Sequence, residues 1–130
     1  MCGVVILPMR ARGWGRVVAI TSVSVRQPMP NIILSNTSRA GVTAYLKTVA
    51  REVAADGVTV NTVQPGTHDT DRIRQLYGTN LDAARAGQPS GTIGDADDFG
   101  SIAAFMCSDQ AKFMTGTHIN VDGGSFAGLM

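Results

Sequence analysis

Arg16-Val17-Val18-Ala19-Ile20-Thr21-Ser22 is the stretch on which the reading of this chain turns. Residues 17–20 are continuously apolar, the pattern of a strand covered on both faces. Upstream, residues 1–12 read as the tail of a helix, which Gly13 and Gly15 end. Downstream, Gln27-Pro28-Met29-Pro30-Asn31 reads as a loop, because proline has no amide proton for regular pairing. Residues 32–55 then place Val42, Leu46, Val49, Ala50 and Val53 at helical spacing, and Asp56-Gly57 stops them.

Two further strands follow. Residues 58–63 are rich in β-branched side chains and are broken by Gln64-Pro65-Gly66. Residues 117–121 come after a Thr115-Gly116 turn and end at Asp122-Gly123-Gly124. Between these strands, residues 67–94 are polar and glycine-bearing, with short helices expected near 70–77 and 81–86. Residues 95–108 read as a helix, with Asp95 as its N-cap and Asp97 and Asp98 complementing its dipole. This alternation predicts an α/β chain with a parallel sheet of about three strands, flanking helices and right-handed crossovers. Such a small sheet leaves the first strand with an apolar, unpaired edge, which points to a partial fold.

Bulk properties narrow the function classes. The chain has 130 residues, 44% of them hydrophobic and 16% charged, which suits one small domain with a core. A net charge of +1 gives no electrostatic case for nucleic acid or an anionic membrane. Arg10, Arg12 and Arg16 read as a solvated helix end. Cys2 and Cys107 form neither a metal spacing nor a disulfide framework, and read as buried or incidental free thiols in a reducing cytoplasm. The apolar run 2–7 falls far short of the ~20 residues of a membrane helix. A soluble cytoplasmic protein with no membrane, nucleic-acid or metal partner is expected.

Three groups of residues carry a resemblance. Gly15-Arg16-Val17-Val18 leads to Ser22. Val60-Asn61 leads to Pro65-Gly66 and then Thr70. Ser108-Asp109, Ala111, Thr115-Gly116 and Val121-Asp122-Gly123-Gly124 close the chain. In this order and spacing the chain resembles the C-terminal half of a short-chain dehydrogenase/reductase, of the acyl-carrier-protein ketoreductase kind, over essentially its whole length. The resemblance implies a doubly wound Rossmann-like fold, of which residues 1–130 would form a single partial domain. It also implies NAD or NADP as cofactor, and carbonyl reduction or alcohol oxidation by hydride transfer.

The site residues follow from the same resemblance. Ser22 matches the serine that hydrogen-bonds the substrate carbonyl. Ser35 and Arg39, four apart on one helix face, fall where the family has its tyrosine and lysine. Pro65, Gly66, Thr67 and Thr70 match the cofactor-facing loop. The candidate catalytic residues are thus Ser22, Ser35 and Arg39, and the candidate cofactor-binding residues Arg39, Pro65, Gly66, Thr67 and Thr70. Serine does not titrate near neutrality and arginine stays protonated, so the substituted pair is a poor proton relay. Residue by residue, bland readings stand beside these: Ser22 satisfying backbone groups at a strand end, Ser35 as a helix-start residue, Arg39 as a solvated charge. His68-Asp69 reads as a polar loop pair, since no nucleophile is placed beside it.

The family's phosphate-binding fingerprint is a glycine-rich turn between a strand and a helix. Gly13-Trp14-Gly15 precedes a strand, and Gly123-Gly124 has no helix after it. The N-terminal cofactor-binding half is therefore read as absent from residues 1–130. The isolated chain is expected to be inactive and not to bind NAD(P). Two alternatives stay open: a non-catalytic interaction or oligomerisation module, and a gene fragment. The resemblance implies a homo-oligomer or association with a complete relative.

Overall fold

A computed structural model describes residues 2–78 and 80–129, with the backbone alone for residues 2 and 3. The elements run α1 (Cys2–Ala11), β1 (Gly15–Ile20), α2 (Ile33–Val53), β2 (Val58–Pro65), α3 (Asp71–Tyr77), α4 (Asp82–Ala86), α5 (Ala96–Met106) and β3 (His118–Val121). Short 3₁₀ turns occupy Val23–Val25, Ala54–Asp56 and Asp109–Ala111. The three strands pair in the order β1-β2-β3, all parallel. The helix start read at Met1 and the Cys2 thiol lie outside the described residues, and Cys107 is exposed, not buried.

Helices cover both faces of the sheet. On one face, Ile6 of α1 and Leu46, Val49, Ala50 and Val53 of α2 pack on Val58 and Val60. On the other, Phe99 and Met106 of α5 pack on Val63, with Val18, Ile119 and Val121 beside them. β2 runs between these layers and is buried from Val58 through Gln64. That double burial takes in the polar Thr59, Asn61, Thr62 and Gln64 along with the valines. Pro65 was read as breaking this strand, yet it pairs with Val121 as its last residue. The next amide, Gly66 N–H, donates to Val121 O at 3.0 Å, so the missing proline proton leaves no gap in the ladder.

The N-terminal ends of the strands are gathered by one guanidinium. Arg16, read as part of a solvated cluster, has a side chain only 5% exposed. It donates to the carbonyls of Gly15, Gly57 and Ser108, reaches Asp109 at 3.4 Å, and lies 5.0 Å from the Trp14 ring. Trp14 Nε1 donates to the same Asp109 carboxylate. Gly57 closes α2 and its 3₁₀ extension in the left-handed region at φ 72°. A Cβ there would stand 2.2 Å from Gly13 O, so glycine is required twice over.

Asn61 sets where β3 lies. It is buried, and its Nδ2 donates to Met114 O at 2.8 Å while its Oδ1 accepts from Thr117 N–H at 3.0 Å. Thr115 Oγ1 accepts from Val60 N–H, and Lys47 Nζ donates to Gly116 O. The turn before β3 is thus tied to β2 and to α2 before the strand begins.

Towards the C-terminal ends of the strands, the face beneath α2 becomes polar. Thr62 and His118 are register partners, with Oγ1 and Nδ1 2.8 Å apart. Gln64 and Asn120 pair one step further along the same face. Burial first, then the charges of Arg26 and Lys47, hold the His118 pKa below its ordinary 6.5.

Two tests follow. Asn61→Ala strands the half-buried Met114 carbonyl and Thr117 amide, and should cost about 3 kcal/mol in chemical denaturation. Because His118 is neutral by preference in the fold, the unfolded chain takes up a proton more readily below 6.5. Stability should therefore be full above that pH and be lost as pH falls towards the lowered folded value. Urea midpoints across that range should show the loss in the parent chain and less of it in His118→Gln.

Candidate functional site

The site assembles at the C-terminal ends of the strands, where open α/β sheets place ligands. β1 ends at Ile20, and the N–H of Thr21, just beyond it, still reaches Val63 O at 2.9 Å. Ser22 then leaves the sheet in extended geometry and caps the Val23–Val25 turn, its Oγ accepting from Ser24 N–H at 3.1 Å. The bland reading of Ser22 is thus true in part. Its oxygen is occupied as an acceptor, while its own proton has no acceptor among the described residues.

Ser35 and Arg39 meet on the first turns of α2. Arg39 Nε donates to Ser35 Oγ at 3.1 Å, and Arg39 Nη1 donates to the carbonyl of Thr21. The pair is therefore joined to the residue immediately before Ser22. Arg39 is not a solvated charge: it is half-buried and bridges helix and strand end. The N–H groups it uses in doing so are not available to a ribose.

The Pro65-Gly66 loop lies beside this strand end. Gly66 approaches the last strand so closely that a Cβ on it would stand 2.8 Å from Asp122 Cα. Thr67 O and Asp69 N–H both pair with Gly94, which brings the long polar segment back to its start. Thr70 caps α3, accepting from Ile73 N–H. His68 packs edge-on against Phe99, with ring centroids 4.9 Å apart. Asp69 turns away from it to grip Arg74 at 2.8 and 3.1 Å, and that hydrogen bond and charge hold the Asp69 carboxyl below its usual range. His68 and Asp69 therefore form no catalytic pair.

Two cavities flank Pro65. An open cleft of about 390 Å³ is lined by Ser22, Gln27, Met29, Pro65, Gly66, Thr67, Ile73, Gln88 and Ser125, among others. A smaller hollow of about 230 Å³ is formed by Ile20, Pro65, His68, Thr70, Ala96 and Phe99. Of the sequence-predicted residues, Ser22, Pro65, Gly66 and Thr67 share the first, and Pro65 and Thr70 share the second. Ser35 and Arg39 line neither, and reach this region only through Thr21.

Gln27, Gln88 and Ser125 escaped the sequence reading. Gln88 lies in a segment with no periodicity to place it. Ser125 is carried back by the Asp122 turn, in which the carboxylate accepts from Gly124 and Phe126 N–H. Only that Asp-Gly-Gly signal could have hinted that the tail returns. Among the described residues no cluster of three metal-ligating side chains occurs, and no helix is long and apolar enough to cross a membrane.

A family model described as enoyl-(acyl carrier protein) reductase matches residues 1–125. The acetoacetyl-CoA reductase of Cupriavidus necator is 36% identical over 120 residues, covering 92% of this chain and 49% of that protein. A 3-oxoacyl-acyl-carrier-protein reductase of Vibrio cholerae is 38% identical over 120 residues, covering 91% and 48%. Among solved structures, the NADPH-dependent reductase YwfH of bacilysin biosynthesis superposes with a TM-score of 0.92 at 25% identity, over 98% of this chain and 53% of that one. The L-sorbose reductase of Gluconobacter frateurii, solved with NADPH and L-sorbose, gives 0.89 at 26% identity, again over 98% and 53%. The chain thus spans about half the length of the relatives it matches. With its doubly covered parallel sheet, its Ser22 strand end and its Pro65-Gly66 loop, the chain belongs to the short-chain dehydrogenase/reductase family.

Proposed function

We propose that this chain supplies the carbonyl-facing side of an NAD(P)-linked oxidoreductase and transfers no hydride by itself. The observation that carries this reading is the cleft in which the Ser22 hydroxyl, with its proton uncommitted, faces the Pro65-Gly66 loop. A hydroxyl so placed donates to a carbonyl oxygen without having to ionise.

The adjoining hollow is walled by Ile20, Pro65 and Phe99, with Thr70 at its side. That lining fits a flat nicotinamide ring. A dinucleotide's phosphates need amides at a glycine-rich turn opening a helix, and no described glycine follows a strand into a helix in this way. The residues therefore fit the nicotinamide end of the cofactor alone. Bound there, the cofactor would supply the hydride. This chain's part is to orient the carbonyl with Ser22 and to shape the wall with Pro65 and Thr70.

Proton transfer is the weaker half of the site. Ser35 Oγ accepts from Arg39, which favours its alkoxide only slightly against a hydroxyl that does not titrate near neutrality. Lack of a matched acid–base group costs roughly 10²–10⁴-fold. Loss of a held hydride donor costs more, because the reaction then has no fixed second reactant.

A second reading has its own support. Leu34, Val42 and Tyr45 share one outward face of α2 and are all exposed, Leu34 by 83%. Gly41 on that face has nothing within 4 Å of where its Cβ would be. We infer a contact surface there for a second copy or a complete relative, which would make this chain an assembly module.

Titrating the isolated chain with NADPH should give no saturable fluorescence or calorimetric signal at micromolar concentrations. Ser35→Tyr with Arg39→Lys should leave it equally silent. Micromolar binding by either form would overturn the proposal that the chain alone lacks a cofactor site.

A further inference from the structure

Three neighbours in one row of the sheet, beneath α2, carry buried polar atoms with no protein partner. We propose that the layer between α2 and the C-terminal ends of the strands is an internal hydration site, in which bound water bridges Gln64 to Thr21 and Asn120.

The row is fixed by the ladder. Gln64 and Asn120 are register partners on β2 and β3. Ile20 pairs with Val63, and Thr21 N–H donates to Val63 O at 2.9 Å, which carries the register one step on and sets Thr21 beside Gln64. Val17 and Ala19 pack into the core under α2, so Thr21, two residues further, turns to the same side. The adjoining row on that face is Ala19, Thr62 and His118. From across the layer, Thr43 lies one turn before the buried Leu46 on the same face of α2.

Gln64 is completely buried and Thr21 is 3% exposed. Both amide atoms of Gln64, with Thr21 Oγ1, Thr43 Oγ1 and Asn120 Oδ1, have no partner in the protein. The Asn120 nitrogen is turned away, towards Asp122 Oδ2 at 3.5 Å. A direct bond between the two amides would meet only Asn120 Oδ1 and one end of Gln64. The hydroxyls and the other end of Gln64 would still need a partner, and buried polar groups are rarely left without one.

The chemistry of the set selects water. It mixes donors with acceptors and has no charge: one amide nitrogen, two amide oxygens and two hydroxyls. A buried water makes about three hydrogen bonds to groups of this kind. None of the four side chains is a carboxylate, and the charges acting on the adjoining His118 are those of Arg26 and Lys47, so a cation has no counter-charge here. An anion would face two amide oxygens. Thr21 is also the residue whose carbonyl Arg39 holds, and it precedes Ser22. Bound water thus ties the strand end that carries Ser22 to the middle strand through side chains as well as backbone.

Oxygen-17 relaxation dispersion on the full chain tests this, because it reads long-lived water and is blind to hydroxyl protons. The amplitude of the parent chain should fall by about one water or more in Gln64→Met, which keeps the side-chain length and removes both polar ends. It should fall as well in Thr21→Val, which keeps the shape and removes the hydroxyl, and which decides the matter alone if Gln64→Met does not fold. Urea midpoints give a second reading. With water bound, Gln64→Met removes a satisfied group, and its midpoint should stay level or drop. A dry layer would gain stability from losing an unpaired amide, and the midpoint would rise. An unchanged dispersion amplitude in the variants, or a raised midpoint in Gln64→Met, would overturn the hydration site.

Discussion

The two hydrogen bonds of the buried Asn61 amide set the position of β3, and with it the site. From within β2, Asn61 holds Met114 O and Thr117 N–H, which fixes the register in which His118 meets Thr62. That register brings Val121 O to the amide of Gly66. It places Asp122 against Gly66, and the Asp122 carboxylate turns the tail so that Ser125 reaches Gln88. One wall of the Ser22 cleft is thus positioned by an amide in the middle of the sheet. A buried amide satisfied at both ends specifies register in a way that apolar packing cannot, because a slipped strand would leave both ends unpaired.

The two ends of the sheet are held by different chemistry. At the N-terminal ends, Arg16 collects three carbonyls and Asp109 over an apolar interlayer. At the C-terminal ends, the layer under α2 is polar, and Thr21 Oγ1, both amide atoms of Gln64 and Asn120 Oδ1 are buried without protein partners. Buried polar groups are normally hydrogen-bonded, so this layer departs from the rule at several positions.

Much of the fold was legible because parallel strands announce themselves. Residues 17–20 are apolar without alternation, as in a strand covered on both sides, and residues 58–63 are rich in β-branched side chains, so both read as strands. Helix ends were legible at Gly57 and Asp95, where the residue type answers a specific backbone need. Pro65 misled, because proline usually breaks a strand, yet at the last position its missing proton is harmless. Arg16 misled for another reason: three nearby arginines look solvated, and only the folded loops supply the carbonyls that bury one of them. The site was half legible. Ser22 and the Pro65-Gly66 loop follow strands and could be placed by them. Gln27, Gln88 and Ser125 are united only by hydrogen bonds between segments 37 or more residues apart, which no spacing in the sequence encodes.

β1 borders only β2 among the described residues, and Thr21 N–H, bonded to Val63 O, shows which parity of residues turns inward. In a parallel ladder alternate residues direct their backbone groups to opposite sides. Val17, Ala19 and Thr21 therefore address β2, while Arg16, Val18 and Ile20 address the open side. Consecutive residues of one strand thus fall into two populations by solvent access. In deuterated water their amides should separate into a slow set and a fast set, interleaved one by one. Any chain that docked against this edge would be seen first as the merging of those two clocks.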